Sequence, residues 1–313
     1  MKLGCMLINF NNGTGSRAWD CSKPPHTETP SPSDFLSRCL DTYFSTISTD
    51  CPLVVVDDGS TDDSIEILER YSDGITHFAK NTENIGLTPS MEIAAELLFR
   101  EGCDVVCRFD GDIEFLTQGW DLRVLQYFLM NRRAGAVGAV QVTPCGGIWA
   151  HGDMIVHPDG HTHLFGPKSR TPENCQLSYG DGTHLGNVQC DSVMGSLAAF
   201  RTTAYKRVNG LRQEFNQLRG ETEDLNLRLL LENFTCTSLG GVYVMHRASE
   251  RADRCAVRDT DTNLDQSFTV WNNLWGFDKR NVNLTDVYEK WQGTPLARHL
   301  TISPSSEVLY LGP

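Results

Sequence analysis

The segment Leu53-Val54-Val55-Val56-Asp57-Asp58-Gly59-Ser60 joins an apolar strand to an abrupt acidic turn. Four consecutive apolar residues, three of them valine, are typical of a strand that is covered on both faces of a sheet. Turn formers follow at once, so the strand must end near Asp57. A second apolar strand, Asp104 to Phe109, ends in the same way at Asp110-Gly111-Asp112. The two segments predict strands of one sheet whose carboxyl ends carry acidic side chains.

The rest of the chain extends this pattern. Strand and helix signals alternate through residues 1–142, which predicts an α/β fold with a doubly wound, mostly parallel sheet and helices on both faces. Residues 13–32 predict a long surface loop, and residues 144–190 predict an irregular, partly β region. Helices are predicted from Ser33 or Asp34, at Thr61–Tyr71, from Thr88 with Pro89 in first position, at Trp120–Met130 and at Glu221–Asn233. Later strands are predicted at Ala136–Val142, Val193–Phe200 and Val242–Met245.

The composition excludes several classes of protein. The formal net charge of −13 does not favour nucleic acid or anionic lipid, so no nucleic-acid partner is expected. No run approaches the ~18 apolar residues of a membrane span, so we expect a soluble protein without a transmembrane segment. The eleven cysteines are an odd number without repeated spacing, as in reduced thiols. The sequence therefore predicts a reducing compartment such as the cytoplasm.

Asp110 and Asp112 form the first candidate site. Because side chains alternate along a strand, the two carboxylates point the same way, about 7 Å apart along the backbone. Open α/β sheets bind ligands at the carboxyl ends of their strands, and carboxylate oxygens favour Mg²⁺ or Mn²⁺. A solvated acidic loop would have the same three residues, so the triplet alone leaves both interpretations open.

Other residues could also carry chemistry, each with a structural alternative. Asp57 could accept a hydrogen bond from a nucleotide base or a ribose hydroxyl, or it could belong to a turn. Glu223 and Asp224 begin a helix, where one could act as a general base, or both could only cap the helix. His246 follows a strand and could be a metal ligand or a core histidine.

Several segments together resemble the inverting family 2 glycosyltransferases with the GT-A fold, in their order and spacing over residues 3–277. The matching segments are Leu7–Asn12, Val54–Asp62, Asn84–Gly86, Phe109–Asp112, Gly195–Arg201, Glu223–Leu227 and His246. The resemblance implies one catalytic domain at residues 1–277, with a nucleotide-sugar-binding half at 1–142 and an acceptor-binding half at 143–246. Residues 278–313 are then a C-terminal extension that packs on the body.

The resemblance also implies a role for residues of the first half. Asn9, Phe10 and Asp57 would hold the nucleotide base, with Phe10 stacking on it or walling it. Asn84 would belong to the same nucleotide site. Asp110 would reach either the ribose or the metal.

Metal binding and catalysis follow from the same resemblance. Asp112 and His246, with Asp110, would bind a divalent cation, Mn²⁺ or Mg²⁺, that bridges the two donor phosphates. Asp224, with Glu223 beside it, would deprotonate the acceptor hydroxyl as it attacks the anomeric carbon.

The activity implied is transfer of a hexosyl or deoxyhexosyl group from a UDP-, GDP- or dTDP-sugar to a hydroxyl acceptor, either a glycan or a glycolipid. We therefore expect a cytoplasmic enzyme, or one that lies at a membrane surface through its acceptor. The pattern departs from the family at three places. The segment Gly13–Pro32 is longer than usual, Asn226 replaces a usual acid, and Arg228 lies two positions before the usual arginine.

Two alternative functions remain open from the sequence. Gly13–Arg17 is similar to the glycine-rich loop of sugar-phosphate nucleotidyltransferases, whose backbone N–H groups hold a triphosphate. A non-catalytic nucleotide-sugar-binding module would carry the same acidic residues. Separately, His157–His163 contains three histidines, which could bind zinc or form a polar turn beside the acceptor cleft, and the turn is the preferred interpretation.

Overall fold

The computed structural model describes residues 1–13, 15–20, 27–144, 146–164, 186–247 and 261–312. Its strands are β1 (Leu3–Asn9), β2 (Gly15–Asp20), β3 (Thr27–Asp34), β4 (Leu53–Asp57), β5 (His77–Lys80), β6 (Val105–Asp110), β7 (Ile113–Phe115), β8 (Ala134–Val142), β9 (Ile148–Ala150), β10 (Asp153–Met154), β11 (Thr162–His163), β12 (Val188–Cys190), β13 (Leu197–Arg201), β14 (Thr235–His246), β15 (Leu300–Ile302) and β16 (Val308–Tyr310). Its α-helices are α1 (Phe35–Thr46), α2 (Ser64–Arg70), α3 (Leu87–Arg100), α4 (Trp120–Met130), α5 (Thr202–Arg207), α6 (Glu221–Leu231), α7 (Asp261–Trp275) and α8 (Leu284–Trp291).

A ten-stranded sheet forms the centre of the molecule. Eight strands follow one another in the order β12-β14-β8-β13-β6-β1-β4-β5, and β7 and β9 join β14 and β8 at the side. The strands β6, β1, β4 and β5 pair in parallel, and so do β14 and β8. β13 lies antiparallel between β6 and β8, and short β12 is antiparallel to β14. The mostly parallel sheet predicted from the sequence is confirmed.

The strand β4 shows why its sequence is apolar throughout. Val54 and Val56 pack in one hydrophobic cluster, and Leu53 and Val55 pack in another. The first cluster also holds Met91 and Leu98 of α3, whereas the second holds apolar residues of α1, α2 and α4. Alternate side chains of a strand point to opposite faces, so a strand with a helical layer on each face must be apolar at every position.

Two helices near the C-terminus, α7 and α8, pack on the body of the molecule. Trp271 and Trp275 of α7 are almost completely buried in the first cluster, and Trp291 of α8 packs against Trp275. The indole nitrogen of Trp291 donates to the carbonyl oxygen of Trp275 over 3.2 Å. Among the described residues, no helix combines the length and the apolar composition that crossing a membrane requires.

The structure corrects several of the predicted elements, among them α2, which begins at Ser64 and not at Thr61, and β13, which begins at Leu197 and not at Val193. Within the segment predicted as a surface loop, β2 and β3 form an antiparallel hairpin, and residues 14 and 21–26 lie outside the described part. Helix α3 begins at Leu87 with Gly86 as its cap, two residues earlier than the predicted start at Pro89 and cap at Thr88. β14 extends over Thr235–His246, far beyond the predicted Val242–Met245, because Gly240 and Gly241 lie at an irregularity in its pairing and not at a turn.

Candidate functional site

The carboxyl ends of three adjacent parallel strands form the candidate site. The register pairs Asn9 of β1 with Asp57 of β4, and Ile8 of β1 with Asp110 of β6. The acidic segments predicted from the sequence therefore meet at one edge of the sheet. This edge is where open α/β sheets bind their ligands.

A hydrogen-bonded network connects the ends of β1 and β4. The side-chain amide of fully buried Asn9 donates to Asp57 Oδ1 over 2.8 Å and to Ser60 Oγ over 3.1 Å. The backbone N–H of Ser60 donates to the other oxygen of Asp57 over 2.9 Å, and Asn12 donates to Asn9 Oδ1 over 2.8 Å. Asn9 and Asp57 thus fix the shape of the loops around them. Phe10, the next residue along the chain, is only partly buried, so part of its ring is open to a ligand.

Asp58 holds the neighbouring segment that contains exposed Asn84. Its carboxylate accepts from the backbone N–H groups of Ile85 over 3.0 Å and Gly86 over 2.9 Å, and from the side chain of Asn81 over 2.8 Å. Gly59, at φ +76°, leaves no room for a side chain, because a Cβ there would lie 2.5 Å from the backbone of Glu83. The sequence predicts a turn at Gly59, and the structure shows in addition that this turn lies against the segment before α3.

Replacing Asp58 with alanine should lower the free energy of unfolding by roughly 3 kcal/mol, because several buried donors would lose their charged acceptor. Urea unfolding followed by circular dichroism measures this change. Asp73→Ala, at an exposed aspartate in the 3-10 turn Ser72–Gly74, is the control and should change stability by less than about 0.5 kcal/mol. Equal stability of the two variants would contradict this role of Asp58.

Asp110, Asp112 and His246 converge at the end of β6. One ligand atom from each residue lies within 4.8 Å of the other two. β7 pairs with the end of β14, and this pairing places His246 opposite Ile113. Ile113 is the residue that directly follows Asp112, and His246 Nε2 lies 3.6 Å from Asp112 Oδ1. A Cβ at Gly111, between the two aspartates, would lie 2.8 Å from the side-chain amide nitrogen of Asn12, so a larger residue there would displace Asn12.

The three side chains fit the divalent cation that the sequence resemblance implies. They offer two carboxylates and one imidazole, a donor set that suits Mn²⁺ or Mg²⁺. Asp112 is 7% exposed and Asp110 and His246 are partly exposed, so a cation bound there keeps access to an anionic ligand.

Arg108 links this cluster to helix α6. Its guanidinium donates to Asp110 Oδ1 over 2.8 Å and to Thr222 Oγ1 over 3.2 Å, and it lies 3.4 Å from Glu221 Oε1. Burial lowers the pKa of Arg108, but the charges of Asp110 and Glu221 outweigh this effect and raise it. Arg108 was not among the residues predicted for the site, although a lone arginine two positions before Asp110 in an apolar strand must share its face.

Glu223 and Asp224, the two adjacent acidic residues of α6, lie in different environments. Asp224 is 0% exposed and accepts from Arg212 over 2.9 Å, Arg228 over 2.8 Å and the indole N–H of Trp275 over 3.1 Å. Burial raises the pKa of this carboxyl, and the two arginines offset that only in part. Arg228, four residues after Asp224, was counted as a departure from the family, but on a helix this spacing brings the two side chains together.

Glu223 is the more accessible member of the pair. Its side chain is 18% exposed, and Lys279 Nζ donates to its Oε1 over 3.0 Å. Burial favours a higher pKa, but the charges of Lys279 and His161 outweigh it and lower the pKa of Glu223 to about 2. Of the two carboxylates, only that of Glu223 retains exposed surface that an acceptor can approach.

Gly13, the first residue of the segment that is similar to the nucleotidyltransferase loop, forms hydrogen bonds within the protein. The backbone N–H of Gly13 donates to Asp62 Oδ2 over 2.8 Å and lies 3.0 Å from Ser64 Oγ. This N–H already has protein acceptors, whereas a triphosphate-binding loop needs N–H groups directed at the ligand. The side chain of Arg17 lies outside the part of the chain whose side chains are described.

Sequence and structure comparisons identify the family of this chain. Residues 26–208 match the model described as "Glycosyl transferase family 2". The match covers more than half of the chain, so the protein belongs to glycosyl transferase family 2. Asp57, Asp110 and Asp112 lie inside the matched range, whereas Glu223, Asp224 and His246 follow it. A comparison with curated proteins gave no match.

Solved glycosyltransferase structures share the fold. GalNAc-T7 with UDP, GalNAc and Mn²⁺ has a TM-score of 0.57 at 12% identity, over 88% of this chain and 48% of that one. S. aureus TarS 1-349 with UDP-GlcNAc has a TM-score of 0.53 at 13% identity, over 88% of this chain and 66% of that one. The mannosyltransferase PcManGT from Pyrobaculum calidifontis with GDP-Man and Mn²⁺ has 0.51 at 13% identity, over 80% and 58%. The fold is therefore of the GT-A type, and this chain spans about half to two thirds of those proteins.

Proposed function

We propose that this protein transfers a sugar from a nucleotide diphosphate-sugar to a hydroxyl group of an acceptor, with inversion at the anomeric carbon and with help from a divalent cation. The observation that carries the proposal is the convergence of Asp110, Asp112 and His246 beside the Asn9–Asp57 network. Membership of glycosyl transferase family 2 supports the reaction class. The UDP-, UDP-GlcNAc- and GDP-Man-containing structures with this fold support a sugar nucleotide as donor.

The donor would lie along the carboxyl ends of β1, β4 and β6. Phe10 packs against the nucleotide base, while Asn9 and Asp57 hold the loops that surround it, and Asn84 borders the same site. Asp110, Asp112 and His246 would hold Mn²⁺ or Mg²⁺. When bound, such a cation offsets the negative charge of the diphosphate leaving group, which a chain of net charge −13 otherwise repels.

The acceptor hydroxyl must lose its proton as its oxygen attacks the anomeric carbon. The sequence resemblance implies Asp224 as the base, with Glu223 beside it. The contacts of the two residues favour Glu223 for this step, because its side chain is 18% exposed whereas that of Asp224 is 0% exposed. Asp224, held by two arginines and Trp275, then acts as a positioning residue that fixes the start of α6.

A donor screen tests the proposed reaction. Incubation with Mn²⁺ and a panel of UDP-, GDP- and dTDP-sugars should release nucleoside diphosphate from one of them, and a chelator should stop the release. The same assay without the cation is the control. Release of pyrophosphate from a nucleoside triphosphate and a sugar phosphate would instead indicate the nucleotidyltransferase alternative. Stable binding of a sugar nucleotide without any release, over a wide panel of acceptors, would indicate a binding module.

A further inference from the structure

We propose that Asp153, His161 and His163 form a second cation site, separate from Asp110, Asp112 and His246, that takes a transition metal ion such as Zn²⁺. This inference concerns the acceptor-side half of the chain and does not depend on the proposed function. The sequence analysis preferred a polar turn for the histidine segment over a zinc site.

The hairpin of β10 and β11 brings the three side chains to one face. Asp153 lies directly opposite His163 in the antiparallel register, and Met154 lies opposite Thr162. Cross-strand partners point to the same side of a hairpin, and so does a residue two positions away along an extended chain. The spacing His161-Thr162-His163 therefore places both imidazoles on the side of Asp153. His157 lies apart from them, with its ring packed against Tyr310.

The ligand atoms converge on the Asp153 carboxylate from both sides. His163 Nδ1 lies 2.5 Å from Asp153 Oδ1, and His161 Nε2 lies 3.4 Å from Asp153 Oδ2. One ligand atom from each residue lies within 4.8 Å of the other two. The Asp153 side chain is only 4% exposed, so its charge depends on these two neighbours for compensation.

An unsatisfied nitrogen gives independent support. His161 Nε2 is buried and faces Asp153 Oδ2 over 3.4 Å without a well-formed hydrogen bond among the described residues. A buried ring nitrogen that faces a carboxylate in this way is an arrangement that a bound cation would complete.

The backbone around the site is held firmly. Asp153 exchanges backbone hydrogen bonds with the 191–192 segment, over 2.8 Å to Ser192 and 2.8 Å from Asp191. The backbone N–H of His161 donates to the carbonyl oxygen of Lys279 over 2.7 Å. The three ligands are thus positioned before any ion binds, which reduces the ordering cost of binding.

The two clusters offer different sets of metal ligands. Two imidazoles and one carboxylate suit Zn²⁺ and related transition metals, whereas two carboxylates and one imidazole suit Mn²⁺ or Mg²⁺ better. Three protein ligands leave a fourth position open, as in catalytic zinc sites.

Zinc binding to the full chain tests the inference. After removal of metals with a chelator, the protein should bind one Zn²⁺ per chain in the presence of excess Mn²⁺, measured by titration calorimetry and elemental analysis. His163→Gln should weaken this binding at least ~10-fold, because each metal ligand contributes at least as much as its supporting contacts. Asp112→Asn should retain it. Co²⁺ should give a visible absorption band in the wild type and in Asp112→Asn, and not in His163→Gln.

His157→Gln is the matched control, since it removes an imidazole from the same segment outside the cluster. Circular dichroism checks that each variant folds. If His163→Gln does not fold, His161→Gln gives the answer, because its side chain is 23% exposed and its contact with Asp153, over 3.4 Å, is longer than the 2.5 Å contact of His163. Zinc binding that is absent in the wild type, or unchanged in the folded cluster variants, would overturn the proposal and leave a purely structural Asp–His–His cluster.

Discussion

Replacing Asp112 with alanine should remove the response of donor binding to Mn²⁺ and lower turnover at least ~100-fold. The reason is that Asp112 lies beside His246, with 3.6 Å between Oδ1 and Nε2, and without it only Asp110 and His246 of the cluster remain to hold the cation. A ligand that binds only the folded protein raises its melting temperature. Thermal shifts with the active sugar nucleotide, with and without Mn²⁺, therefore measure the effect directly.

Two variants make this experiment specific. Asp112→Asn keeps the shape of the side chain and removes its charge, so it should show nearly the same loss as alanine if cation binding is the cause. Asp73→Ala removes an equal charge from an exposed position that is distant from Asp112 in the sequence, and it should leave the Mn²⁺ response intact. A full Mn²⁺-dependent shift in Asp112→Ala would exclude this cluster as the cation site.

The two acidic residues of α6 should respond differently to loss of their charge. Asp224→Asn should lower the free energy of unfolding by about 3–5 kcal/mol, because two arginines would remain beside a buried neutral amide. Glu223→Gln should keep the wild-type fold and donor binding and lower turnover at least ~100-fold, since its main loss is the proton acceptor. Urea unfolding, donor-dependent thermal shift and steady-state turnover separate these outcomes.

Glu214→Gln is the matched control for this pair, because Glu214 is an exposed carboxylate just before α6. It should change neither stability nor turnover measurably. If Asp224→Asn is as stable as the wild type and yet inactive, Asp224 is the base after all. If Glu223→Gln turns over normally, the proton must pass to another group.

Much of the fold follows from local patterns. The run Leu53–Val56 predicts a strand covered on both faces because only such a strand is apolar at successive positions. The carboxyl ends of parallel strands lie together at the same edge of the sheet. The acidic residues that end these strands must therefore meet there, whatever the detailed register. The positions of Asp57, Asp110 and Asp112 at one edge were therefore predictable from the sequence.

The rest depends on contacts between residues that are distant in the chain. Lys279 approaches Glu223 from 56 positions away, and Trp275 reaches Asp224 from 51 positions away. No local pattern at Glu223 or Asp224 records these partners, so the different burial of the two carboxylates could not be predicted. The pairing of β7 with the end of β14, which brings His246 to Asp112, depends in the same way on long-range register.

Two contacts of α6 limit how this chain can change in evolution. They are the hydrogen bond from Trp275 to Asp224 and the ion pair of Lys279 with Glu223. Both partners come from the C-terminal segment, beyond the residues that match the family model. A recombination event that exchanged this segment for that of a distant relative would disturb the helix that carries the proposed base. We therefore expect residues 275–279 and the beginning of α6 to be inherited together, as one evolutionary unit.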